Sequence, residues 1–124
     1  MRWVHAVDFV RVTASGPATA QEQFAAIRSA ARRSVAGIRM LFDGRDLTAE
    51  AASPTTAELR QYAESIAALG YRRFAVVVAP PRVTISTTFA DLCEEAGIEA
   101  KVFRDLAHAR HWLVGRPPAR PDAA

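Results

Sequence analysis

The carboxylates Asp43 and Asp46 follow directly on the apolar run Ile38-Arg39-Met40-Leu41-Phe42, with Gly44 and Arg45 between them. Acids at the carboxyl end of a strand are placed where open α/β sheets keep reactive groups. As an acid/base pair they would need a histidine or nucleophile beside them, and the sequence sets none nearby. As a phosphoacceptor, Asp43 would need an acidic pair at the end of the first strand to hold Mg2+. The chain has Thr13-Ala14-Ser15 there. His108 and His111 share a helix face at a spacing that suits a metal, but no third ligand suggests itself, so both are expected on a solvated face. Cys93 lies on the apolar stripe of its helix and has no CxxC partner, so it reads as a small buried hydrophobe rather than a redox centre. Gly16 and Gly44 are single turn glycines and form no phosphate cradle. No catalytic residue, cofactor or metal is expected from these residues.

Two further groups remain as candidates. The loops expected beyond the strand ends carry Asp43, Arg45 and Asp46, then Ser53, Thr55 and Thr56, then Arg82, Thr84 and Ser86 with Thr87 and Thr88. They would form a polar rim for a ligand or partner, although each hydroxyl also sits where a helix cap is wanted. Phe42, Tyr62, Ile66, Phe89 and Leu92 are large apolar side chains on neighbouring elements, and they would line a cleft between the second and third helices or simply fill the core.

The elements that must position these groups follow from periodicity and punctuation. Val10, Val12 and Ala14 alternate with Phe9, Arg11 and Thr13, which is a strand pattern, and residues 2–7 leave a preceding strand open. Ser15-Gly16-Pro17 breaks it, and Thr19…Glu22 is a capping box for a helix with Phe24, Ile27 and Ala31 inward. A buried strand over Ile38–Phe42 is expected to stop at Asp43-Gly44. Thr55…Glu58 starts a second helix, with Leu59, Tyr62, Ile66 and Leu69 inward and Gly70 as its stop. Phe74–Ala79 is the clearest central strand, ended by Pro80-Pro81. A third helix carries Ile85, Phe89, Leu92 and Cys93 inward. A last strand spans Ile98–Phe103, and Asp105 caps a final helix with Leu106, Ala109, Trp112 and Leu113 inward. This alternation predicts an α/β sandwich with a central, mainly parallel sheet of four to five strands and four helices. The domain is expected over residues 1–115, with 116–124 a flexible Pro/Arg/Ala tail.

At 124 residues the chain has room for one self-sufficient core. A net charge of +3 comes from scattered arginines, with Lys101 the only lysine. That bias suits a GC-rich bacterial coding sequence better than a nucleic-acid stripe, so no nucleic acid is expected as partner. No stretch approaches the roughly 20 apolar residues of a membrane span, and Met1–Asp8 is too short and interrupted for a signal peptide. A lone cysteine gives no disulfide, so the expectation is a cytoplasmic domain, with dimerisation open.

Four segments in order resemble the SpoIIAA-like group of STAS-type and SEC14-like domains: Phe9–Pro17 followed by Thr19, Ile38–Asp43, Arg72–Pro80, and Ala96–Asp105 continuing to Trp112-Leu113. The resemblance implies a small α/β sandwich doing non-enzymatic work. That work would be regulatory contact with a protein partner, as in anti-sigma-factor antagonists, or binding of an apolar, lipid-like small molecule. The antagonists carry an Asp-Ser-x-Gly-like turn whose serine is phosphorylated. Here the region reads Ala51-Ala52-Ser53-Pro54-Thr55-Thr56, which departs from that pattern and weakens a phospho-switch on Ser53, Thr55 or Thr56. An enzyme using the Asp43 loop is the third alternative.

Overall fold

The computed structural model describes residues 2–5, 9–33, 39–48 and 54–114. Ser53, Gly115 and the 116–124 segment lie outside the described residues. Strands β1 (Arg2–His5), β2 (Val10–Gly16), β3 (Arg39–Leu47), β4 (Arg73–Val78) and β5 (Glu99–Phe103) form one sheet in that spatial order. Strand β1 pairs antiparallel with β2, and the other neighbours pair parallel. Helices α1 (Ala20–Arg33), α2 (Thr56–Ala68) and α3 (Val83–Glu95) connect the parallel strands, and α4 (Leu106–Val114) follows β5. The strand left open over residues 2–7 is thus present over Arg2–His5.

Because every parallel connection steps to the next strand in the same direction, right-handed crossovers set α1, α2 and α3 on one face. Strand alternation then divides the core. Val10, Val12, Met40, Phe42, Phe74, Val76 and Val78 face these helices. Leu41, Ala75 and Val77 point the other way, against Ala109 and Leu113 of α4. Strand β4 is buried along almost its whole length, as an apolar run covered on both faces should be.

The described structure departs from expectation at β3, which continues through Asp43-Gly44 to Leu47 rather than stopping there. Gly44 pairs with Val78, and its missing side chain leaves space that Leu47 and Phe42 approach: a Cβ there would lie 2.9 Å from Leu47 Cδ1. The register against β2 slips between Thr13 and Ser15, where β3 carries one extra residue. The Asp-Gly pair that reads as a turn therefore runs on inside the sheet, with a bulge at Gly44-Arg45 opposite Ala14.

Candidate functional site

Helices that run antiparallel to parallel strands bring their N-termini to the carboxyl edge of the sheet. Here α1, α2 and α3 all do so on one face. Helix α2 packs closely on α3 but meets α1 only sparsely. The α1–α2 seam is bridged by the rings of Phe24 and Tyr62, 5.1 Å apart, and α1 is further tied by Tyr71, whose hydroxyl lies 3.4 Å from the Ile27 carbonyl oxygen. Burial pushes the Tyr71 phenol well above its usual range, so it stays a neutral donor.

The looseness of that seam leaves a cavity of about 680 Å3 between the three helices and the sheet. Ile27, Ile66, Phe74 and Phe89 lie at its deep end, where the Phe74 and Phe89 rings meet edge to face at 6.0 Å. Phe24, Phe42, Leu59, Tyr62, Val76, Val78 and Ile85 form the walls. Ala18, Thr19, Leu47, Pro54, Ala79 and Arg82 surround the mouth, with Gln23 and Ser86 one turn below it. Among the described residues the lining contains one charged side chain, Arg82. Its Nη2 donates to the Thr48 carbonyl oxygen, which draws the guanidinium across the mouth from the 3-10 turn Pro80–Arg82 toward the end of β3.

Phe42, Tyr62, Ile66 and Phe89, named from sequence as an apolar cluster, all line this cavity. Leu92 does not. It is buried in the core of the same sheet face. Phe24, Ile27 and Leu47 were not in that cluster. The first two read as inward-facing on α1, but nothing in the sequence says which neighbour they meet.

The polar rim is not one site. Arg82 and Ser86 belong to the cavity. Thr84 is exposed on the first turn of α3. Thr55 is the N-cap of α2: its Oγ1 accepts from Glu58 N–H at 3.1 Å, while Glu58 Oε1 accepts from Thr55 N–H at 2.8 Å. Thr56 is the exposed first residue of that helix.

Asp43 points to the opposite face, because it alternates with Phe42. Its buried carboxylate accepts from Arg45 Nε at 2.9 Å, Arg45 Nη2 at 2.8 Å and Arg11 Nη2 at 3.1 Å, and from the Arg45 backbone N–H at 3.2 Å. Burial alone would raise its pKa, but the hydrogen bonds and charge of Arg45, helped by Arg11, outweigh this and hold it below the usual carboxylate value. Asp46 is exposed and outside this bidentate cluster. The group can lock a strand, and an ionised carboxylate held by two guanidiniums is a poor base.

His108 is exposed, with Nδ1 3.0 Å from an Asp105 carboxylate oxygen. Among the described residues, no cluster of three or more His, Cys, Asp or Glu could hold a metal. Burial pushes the Cys93 thiol up to about 12, with Glu94 adding to the rise, so the sulfur stays protonated and inert. Among the described residues, no helix is long and apolar enough to cross a membrane.

A family model described as SpoIIAA-like matches residues 9–114, which takes in every element from β2 to α4. No curated protein and no solved structure matches the chain.

Proposed function

We propose that this chain, which belongs to the SpoIIAA-like family, is a non-catalytic domain that binds an apolar, lipid-like small molecule between its sheet and helices α1–α3. The cavity carries the reading. Protein interiors hold few voids larger than a water molecule, whereas small-molecule sites occupy on the order of 300–1,000 Å3. Open at its mouth, the space holds solvent or a ligand, and its walls of Phe, Ile, Leu and Val favour an apolar occupant over water.

Regulatory contact with a protein partner follows from family membership alone, and no described side chain adds to it. Catalysis through the Asp43 loop has less support still, since that carboxylate is spent on Arg11 and Arg45.

Native mass spectrometry of protein purified without denaturation, followed by titration with the neutral probe N-phenylnaphthylamine, tests the proposal. The expected result is a co-purified small-molecule adduct or saturable probe fluorescence, with a rise in Tm. A ligand at 100 times its Kd adds about 2.7 kcal/mol. A protein with neither adduct nor saturable probe binding would not be a carrier or sensor of apolar molecules.

A further inference from the structure

The cavity is graded from end to end, and the grading specifies more than apolar character. We infer that its ligand is a single-chain amphiphile with an anionic head, a carboxylate or phosphate monoester, whose tail lies against Phe74 and Ile66 and whose head meets Arg82 at the mouth. This rests on the apolar-ligand reading and adds the head, its charge and its orientation.

Three observations carry it. First, the charge and most of the polarity of the lining lie at one end. Thr19, Gln23, Arg82 and Ser86 lie just before or within the first turns of α1 and α3, while the residues reached deeper along the same elements are aliphatic or aromatic, with the Tyr62 hydroxyl the one polar side-chain group among them. A ligand lying the other way would set its polar end against hydrocarbon and aromatic rings, and an unsatisfied polar group out of water costs about 1–3 kcal/mol. Second, the charge at the polar end has one sign. Arg82 is the only charged lining residue among those described, and no described carboxylate pairs with it; its described partner is the Thr48 carbonyl oxygen. The acids in the first turns of α1 and α2 are committed elsewhere, Glu22 to the capping box with Thr19 and Glu58 to the one with Thr55. A cationic head would be repelled, and a neutral one would leave the guanidinium without a counter-charge among the described residues. A carboxylate or phosphate oxygen makes a charge-assisted bond there, about twice as strong as a neutral one. Third, the dimensions suit one chain. From Val78 to Phe74 along β4 is about 13 Å at a strand rise near 3.3 Å per residue, and the volume falls within the range for a single small molecule.

Competition against N-phenylnaphthylamine tests the assignment with four ten-carbon ligands that share a tail: decanoate, decyl phosphate, decanol and decyltrimethylammonium. Decanoate and decyl phosphate should displace the probe at concentrations about tenfold below decanol, and the ammonium should be weakest. The order of the two anions identifies the head. Raising the salt concentration should narrow the gap between decanoate and decanol. Arg82→Gln should bring decanoate down to the affinity of decanol, with both read relative to the variant's own probe affinity, and Arg82→Lys should restore part of the difference. Equal affinities for decanoate and decanol in the native protein would overturn the anionic head while leaving the apolar site intact. So would an anion preference that survives Arg82→Gln, or a loss of decanoate, decanol and probe binding in equal proportion in that variant, which would make Arg82 a structural strap. A native protein that fails to bind the neutral probe at all would take the underlying apolar-ligand reading down as well.

Discussion

Asp43 illustrates how one residue can look functional in sequence and be structural in the fold. Its place after Leu41-Phe42 is the place of a reactive acid, yet its side chain is only 5% exposed and answers two guanidiniums that are 34% and 43% exposed. The period-2 pattern already put it on the face opposite Phe42, but the partner Arg11 lies 32 positions away and only the parallel pairing of β2 with β3 brings it near. Asp43→Asn should cost about 1–3 kcal/mol at pH 7, since hydrogen bonds to a charged group are lost while both arginines can return to water. The pH dependence has a definite sign. A carboxylate whose native pKa lies below the unfolded value of about 3.9 contributes stability above that value and loses it as pH falls through the native pKa. Urea unfolding of both proteins should therefore show a gap that is constant from pH 7 to about 5 and closes below about pH 4. A gap independent of pH would assign the loss to packing instead of charge.

At the scale of elements, the alternation of strands and helices was legible because its punctuation is local: two Thr-x-x-Glu boxes, Gly70 and Gly97 at φ of 102° and 98°, and Pro80-Pro81 after β4. The continuation of β3 was not legible. An Asp-Gly pair carries the same local signal in a turn as in a bulge, and only the sheet on both sides decides between them. Thr55 tests the reading of the hydroxyls directly, because its Oγ1 already serves the N-terminus of α2. Thr55→Ala should lower stability by about 1 kcal/mol, and Thr55→Ser should recover most of it. Chemical unfolding gives the stabilities, and probe titration checks that both variants keep native ligand affinity. Unchanged stability in Thr55→Ala, with a change in binding, would move Thr55 from cap to site.

The whole molecule explains why the cavity could be only half read. Phe42, Tyr62, Ile66 and Phe89 stand out on size and periodicity, but Phe24 and Ile27 enter the same space only because three crossovers of one hand line up α1, α2 and α3 on one face. Strand order is not written in any local pattern. The same topology removes the strand-order reversal at which many open α/β sheets bind ligands. The opening lies instead within one helical layer, where α1 stands apart from the closely packed α2–α3 pair. An opening kept for a ligand lowers the stability of the empty protein, so filling it should stabilise the fold and remove the binding. Ile85 is the position for this, partly buried on α3 and lining the wall. Ile85→Trp should raise the unfolding free energy of ligand-free protein by about 0.5–2 kcal/mol, the range for a filled cavity, which at this chain length is a few degrees in Tm. It should also abolish the rise in Tm that N-phenylnaphthylamine or decanoate gives the native protein. The two effects have one cause and must appear together. A variant that gains stability yet is still stabilised by ligand would show that ligands bind elsewhere. A variant that gains stability and stops responding to ligand ties the binding to the space between α1 and the α2–α3 pair.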